Sequence, residues 1–216
     1  MLGTEDYDRL SGAGRQQSEL LAGRLADELG PGWPAWSGSL KRHRQTLQAL
    51  GSTGTSVIDP RLNEYRVDEL MRSALEQAAE LQLELPPEQA FADPVAFLET
   101  FLAWFPAVLD HWQRDRLLDP ANGTWADFRL RVLAVVEQWQ AELAAGRDVV
   151  AVTSAGVIST LAAELLGRGL DWQRQLNVSL YNASITELSL DPRGQWQLGR
   201  VNCVVHLEAR GLITLA

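Results

Sequence analysis

Cysteine, positive charge and long apolar runs are scarce in this sequence, and each shortage argues against a class of protein. The single cysteine, Cys203, rules out an internal disulfide and is typical of a reducing compartment, so we expect a cytoplasmic protein. No run approaches the roughly 20 apolar residues of a membrane span, and the N-terminal MLGTEDYDRL does not have the apolar stretch of a signal peptide. The net charge of -9 argues against nucleic acid or anionic lipid as the main partner, because both require a basic surface.

The remaining composition is that of a globular protein. The 216 residues suffice for a full hydrophobic core, and we expect a single domain over 1–216. Ser11 and the pair Thr124 and Asp127 are typical residues of helix N-termini. The expected helices cover about 11–29, 40–50, 67–122, 124–145 and the residues after 156, and the expected strands lie near 33–36, 56–58, 149–152, 184–190 and 195–205.

Strands that alternate with helices indicate a mostly parallel sheet with helices on both faces, that is, a three-layer α/β/α sandwich. The apolar run Val149–Val152 is expected to be covered on both faces. The last two strands flank the turn Asp191-Pro192-Arg193-Gly194 and predict a C-terminal antiparallel hairpin that adds an edge to the sheet. Pro106 is expected to kink or divide a helix that begins at Asp93-Pro94.

Three segments, each following a predicted strand, carry groups suited to an anion or to proton transfer. The turn at Thr153–Gly156 directs backbone N–H groups and a helix dipole at one place, and Ser154 adds a hydroxyl donor, although many such turns are purely structural. The segment Lys41–Arg44 places three cations at the start of a helix, where they interact unfavourably with the helix dipole. A bound anion would relieve this repulsion. The alternative is that the segment is simply a solvated basic turn. Glu64 follows the predicted strand 56–58, and a carboxyl group at the carboxyl end of a strand is well placed for proton transfer. The alternative is that Glu64 is solvated, as most glutamates in loops are.

Together these segments resemble the histidine phosphatase (phosphoglycerate mutase-like) superfamily, in the right order along the chain. Ser37–Thr46 is similar to its S-x-P-L-x-R-A-x-Q-T segment, Arg61–Glu64 to its R-L-x-E segment, and Val152–Ile158 to its V-S-H-G-G-V-I segment. Asp8–Gln17 resembles the stretch after the family's Arg-His-Gly motif, and Asn202–Leu207 its usual last strand. The departures are Ser39 for proline, His43 for a small residue and Ser154 for the histidine of the late turn.

The resemblance implies a phosphoryl-transfer pocket for a small phosphorylated metabolite or phosphate, with no metal and no cofactor. Arg42 would bind phosphate oxygens, Ser154 would stand in for a phosphate-binding histidine, and Glu64 would be the general acid. The nucleophilic histidine of the Arg-His-Gly motif is absent from this chain, and Met1 lies about where that motif should have ended. His43 and the two histidines at 111 and 206 are poor substitutes for it.

Three interpretations remain open. The chain is part of a phosphomonoesterase or mutase-like enzyme whose first strand lies upstream of Met1, or it is a catalytically inactive phosphate-binding protein, or it is an unrelated doubly wound domain. The helical segment 67–122 is interpreted as an insertion over the pocket. Its aromatic residues either line a substrate cavity or form core: Phe97, Phe101, Trp104, Phe105 and Trp112.

We predict that the 216-residue chain forms no phosphohistidine when it is incubated with a generic phosphoester. The reason is that neither histidine of the family pocket is present. Acid-labile, base-stable phosphate on the protein after incubation with a labelled phosphoester would contradict this prediction.

Overall fold

The computed structural model describes residues 8–85 and 94–216. The helices are α1 (Gly12–Leu29), α2 (Lys41–Leu50), α3 (Val67–Glu76), α4 (Ala78–Leu81), α5 (Pro94–Gln113), α6 (Trp125–Leu133), α7 (Val136–Ala144), α8 (Ala155–Leu165), α9 (Leu170–Ser179) and α10 (Val205–Glu208). The strands are β1 (Ala35–Ser37), β2 (Ser56–Ile58), β3 (Val150–Val152), β4 (Leu188–Leu190) and β5 (Trp196–Leu198), and a 3-10 turn covers Pro60–Leu62. None of these helices is both long and apolar enough to span a membrane.

A parallel three-stranded sheet organises the fold, in the order β2-β1-β3. Trp36 at the centre of β1 lies opposite Val57 on one side and Ala151 on the other. Each strand is followed by a loop at the same edge, because the strands run in one direction. The mostly parallel α/β architecture expected from the sequence is therefore confirmed.

Both faces of the sheet are covered, which makes the three layers. Trp36 faces one side, where its ring meets the edge of Trp139 at a centroid distance of 6.3 Å. Its neighbour Ala35 faces the other side and belongs to a cluster with Leu21 of α1 and Leu47 of α2. Alternate residues of one strand thus enter two separate cores, as the period of two in a strand requires.

The larger core contains the aromatic residues of α5 and holds the loop after β2 in place. Tyr65 packs edge-on against Trp112 and Phe128, at centroid distances of 5.1 Å and 5.2 Å. Its hydroxyl accepts a hydrogen bond of 2.9 Å from Asn177. Trp104, Phe105 and Trp112 of α5 are buried as well, so the aromatic residues of this helix chiefly form core.

Pro106 lies inside α5 and does not divide it, so of the two expected outcomes, a kink or a division, the division does not occur. A proline removes one backbone hydrogen bond and costs about 3 kcal/mol in a helix interior. Phe105, Val108 and Leu109 are all buried, and their packing offsets that cost. The expected cap at Asp93 lies outside the described residues.

The helix expected over 124–145 is two helices, and that expectation was wrong. α6 begins with the predicted capping box, since Thr124 and Asp127 each bond the other's backbone N–H. It ends at Leu133, and the Arg61 guanidinium donates a 2.8 Å hydrogen bond to the carbonyl of Ala134. A side chain from a distant loop therefore binds a carbonyl at the break between α6 and α7.

The C-terminal hairpin is a separate two-stranded sheet and does not extend the parallel one, contrary to the expectation. It pairs Leu188–Leu190 with Trp196–Leu198, and one further bridge joins Ile185 to Cys203. Residues 202–207, expected as a last strand, contain that bridge and the start of α10. β3 packs on both faces as expected, with Val149 and Ala151 against one core and Val150 and Val152 against the other, although its residues are only half-buried.

Candidate functional site

The loops after β1, β2 and β3 are bonded to one another at the carboxyl edge of the sheet. Asn63 Oδ1 accepts a 2.6 Å hydrogen bond from the backbone N–H of Ser39, and Asn63 Nδ2 donates to the Ser39 hydroxyl at 2.8 Å. The Thr153 hydroxyl donates to the carbonyl of Leu62 at 2.6 Å. Residues from all three loops are thereby held in one rigid group, which the sequence pattern did not reveal.

Arg42 lies in the first turn of α2 and contacts two other segments. Its Nη1 is 3.0 Å from Asp8 Oδ1, and its Nη2 donates to the Ser154 hydroxyl oxygen at 3.3 Å. The second oxygen of Asp8 accepts a 2.9 Å hydrogen bond from the backbone N–H of Lys41. The expected conflict between these cations and the helix dipole is thus relieved in part by a carboxylate of the chain itself.

The carboxyl group of Glu64 reaches from the loop after β2 to the start of α8. Its Oε2 accepts a 2.7 Å hydrogen bond from the N–H of Gly156, and its Oε1 accepts from the N–H of Tyr65 at 3.1 Å. A Cβ at residue 156 would overlap the Glu64 carboxyl, so this approach requires glycine.

Burial raises the pKa of Glu64 from an ordinary 4.5 to about 7, even though the bonds from Gly156 and Tyr65 and the charges of Arg42 and Arg131 all lower it. Burial outweighs these effects because the carboxylate loses its hydration. Glu64 therefore holds a proton in a large fraction of molecules at neutral pH, as a general acid must.

Ser154 immediately precedes α8, at its N-cap position, and it is half-buried. Besides Arg42, it meets His43, whose Nε2 lies 2.6 Å from the Ser154 hydroxyl oxygen. The sequence indicates His43 only as a poor nucleophile and does not predict this contact. The departure of His43 from the small residue of the family segment was the available signal.

A cavity of about 2160 Å³ joins these groups. Its wall includes the three sequence-predicted site residues, Arg42, Glu64 and Ser154, together with His43. Phe101 and Phe105 of α5 also line it, whereas the side chain of Phe97 lies outside the described residues. The cavity continues along β3 toward residues 184–190.

The other two histidines stand apart from this cavity wall. His111 lies on α5, and His206 Nε2 is 3.0 Å from the carbonyl oxygen of Ala183. Over residues 8–85 and 94–216, no group of three or more His, Cys, Asp or Glu side chains is arranged to hold a metal ion.

The sequence matches the profile of the histidine phosphatase superfamily, branch 1, over residues 1–95 and 96–204. The chain belongs to this superfamily. No curated protein sequence matches it.

Solved structures of phosphatases share the fold of this superfamily member. A mycobacterial glucosyl-3-phosphoglycerate phosphatase in complex with VO3 is 24% identical, with a TM-score of 0.62, over 92% of this chain and 89% of that one. The α-ribazole phosphatase of Shigella flexneri is 18% identical, with a TM-score of 0.58, over 90% and 84%. A mutant phosphoserine phosphatase of Entamoeba histolytica in complex with phosphoserine is 17% identical, with a TM-score of 0.60, over 93% and 88%.

We predict that Glu64 makes this histidine phosphatase superfamily member less stable as the pH rises from 4.5 to 7. The folded chain keeps the Glu64 proton in this interval while the unfolded chain releases it, which lowers the free energy of unfolding by about 3 kcal/mol. His43 has the opposite effect on the pH dependence of stability, because burial lowers its pKa to about 3. The measurement is therefore the difference between wild type and Glu64→Gln in urea unfolding at several pH values.

The matched control for this comparison is Glu137→Gln, which changes an exposed glutamate. A pH dependence of Glu64→Gln that parallels wild type would show that the carboxyl of Glu64 titrates alike in the folded and unfolded chains, and the prediction would be wrong.

Proposed function

We propose that this chain carries the phosphate-binding and proton-donating residues of a phosphomonoester hydrolase or mutase-like enzyme. The observation that carries the proposal is the placement of a carboxyl group with a pKa of about 7, that of Glu64, on the same cavity as Arg42 and Ser154. The phosphatases of similar fold act on or bind small phosphorylated compounds, according to their names. A small phosphorylated metabolite is the substrate class we propose.

The proposed reaction divides the work among these side chains. Arg42 and Ser154 donate hydrogen bonds to phosphoryl oxygens, and charge-assisted bonds from a guanidinium are the stronger ones. A histidine nitrogen attacks phosphorus while the bond to the leaving oxygen breaks, and Glu64 gives that oxygen its proton. Water then hydrolyses the phosphohistidine, and its proton returns to the Glu64 carboxylate.

We propose that the nucleophilic histidine comes from a polypeptide segment outside residues 1–216. Neither nitrogen of His43 serves, because Nε2 faces Ser154 and Nδ1 is buried. The extension of the cavity along β3 toward residues 184–190 supports a further strand in that place. Such a strand would end at the carboxyl edge of the sheet, beside Arg42.

Residues 67–122 are proposed to be an insertion that shapes the substrate end of the cavity within a single domain. Six of its residues line the cavity, which supports this role: Val67, Asp68, Leu98, Phe101, Leu102 and Phe105. Apolar side chains at this position favour a substrate whose leaving group has apolar surface.

The alternative is a protein that binds phosphate without turnover. Ser154 favours it, because a hydroxyl supplies a hydrogen bond but no positive charge where the family segment carries histidine. The two proposals share a binding site and differ in whether a phosphoryl group is transferred.

The deciding experiment extends the polypeptide upstream of Met1 in the same reading frame. We expect the extended protein to hydrolyse p-nitrophenyl phosphate and to melt several degrees higher, because a strand inserted beside β3 would bury apolar surface. Glu64→Gln in the extended protein should slow hydrolysis of a phenyl phosphate with a poor leaving group more than hydrolysis of p-nitrophenyl phosphate. An extended protein that binds phosphate but is inactive and no more stable would decide for the binding protein.

We predict that Arg42→Ala weakens the binding of phosphate or vanadate by about 1.5–3 kcal/mol, the range for hydrogen bonds to charged groups. The control is Arg44→Ala, an exposed arginine on the same helix, which removes the same charge from the protein. Isothermal titration calorimetry of both variants measures the effect. Equal losses in the two variants would mean that Arg42 acts only through net charge.

A further inference from the structure

His43 is buried on α2, and within the described part of the chain its side chain makes one polar contact with the site. Its exposed fraction is 3%, and Nε2 lies 2.6 Å from the Ser154 hydroxyl oxygen. Gly38 makes room for the ring, because a Cβ there would overlap His43 Nδ1. The contact joins the helix that carries Arg42 to Ser154, the residue just before α8, which is also a proposed phosphate ligand.

The ring of His43 is neutral at physiological pH. Burial and the charge of Arg42 lower its pKa to about 3, while Asp8 opposes them. Such a group brings no positive charge to a phosphate. It is also a weak base, since an efficient base has a pKa near the working pH, so His43 is poorly suited to take a proton from Ser154.

The surroundings of the ring favour the neutral form with its proton on Nε2. Among the described residues, Nδ1 is buried and has no hydrogen-bond partner. A proton on Nδ1 would leave a buried N–H without an acceptor, which is among the rarest defects of folded proteins. With the proton on Nε2, the ring instead donates to the Ser154 oxygen.

The hydroxyl of Ser154 is then left with one available function. Its oxygen accepts from His43 Nε2 and from Arg42 Nη2, the latter at 3.3 Å, so both lone pairs are used. The side chain does not cap α8, although Ser154 stands at the capping position. Its hydrogen therefore remains to donate to an acceptor in the cavity.

We infer that His43 is a positioning residue of this site, which donates from Nε2 to the Ser154 oxygen and so directs the Ser154 hydroxyl hydrogen at a phosphoryl oxygen bound beside Arg42. This inference rests on the proposed phosphate site and extends it to a residue with no family role. It also explains how serine, without a charge, acts as a phosphate ligand here: two donors fix its orientation before the anion arrives, so that less rotational freedom is lost on binding.

The test is a double-mutant cycle with inorganic phosphate as the ligand, measured by calorimetry on the 216-residue chain. Ser154→Ala should weaken binding about tenfold, as the loss of a hydrogen bond to a charged ligand does. His43→Met should weaken it severalfold in wild type and have no further effect in the Ser154→Ala background. His43→Gln is the matched variant, because glutamine has the shape of methionine but restores an N–H donor, and it should recover most of the affinity.

Nitrogen-15 NMR of His43 in the unmutated chain supplies a second readout, which needs no variant to fold. We expect a neutral ring that is protonated at Nε2. A ring protonated at Nδ1, or a loss from His43→Met that is as large without Ser154 as with it, would overturn the inference. If Arg42→Ala also leaves phosphate affinity unchanged, the proposed phosphate site itself fails; if only the coupling between His43 and Ser154 is missing, the site stands and His43 is structural.

Discussion

The hydrogen bond from the Gly156 N–H to the Glu64 carboxyl joins the ends of two strands that are not neighbours. β1 lies between β2 and β3, so the Glu64 side chain must cross the end of the central strand to reach the start of α8. Only a residue without a side chain at 156 permits that crossing. The half-buried position that results raises the pKa of Glu64 because the carboxylate loses hydration, and the next residue, Tyr65, packs among the aromatic residues of α5 and α6.

The distribution of charge around the cavity explains how a protein with a net charge of -9 can offer a site to an anion. Burial lowers the pKa of His43 and raises that of Glu64, so burial favours the uncharged form of each. Arg42 then supplies local positive charge, balanced by Asp8. An incoming phosphate would have to compete with the Asp8 carboxylate for hydrogen bonds from the Arg42 guanidinium.

Membership of the superfamily and the chemistry of the site rest on different grounds. The profile match extends over residues 1–204 and the solved phosphatases share the fold, but identities of 24% or less say nothing about individual side chains. The proposed roles of Arg42, Glu64 and Ser154 rest on their geometry in this chain. Ser154 illustrates this best, because it contacts His43. The family segment has a small residue at position 43, so the family pattern does not predict that contact.

Local patterns predicted the elements of this fold well. The β2 strand occupies the expected residues 56–58, and helix α1 begins after Ser11, whose hydroxyl accepts from the N–H of Gly14. Capping and alternation act over a few residues, so the sequence displays them directly. The order of motifs also indicated that Arg42, Glu64 and Ser154 would meet at one edge of a parallel sheet.

Tertiary structure decided what depends on residues far apart in the chain. The break between α6 and α7 lies where Arg61 reaches the carbonyl of Ala134, a partner 73 positions away. Arg42 meets Asp8 across 34 positions, and His43 meets Ser154 across 111. The last two contacts bring the site residues together from distant parts of the chain, and because burial and hydrogen bonding act through space, no local pattern of the sequence encodes them.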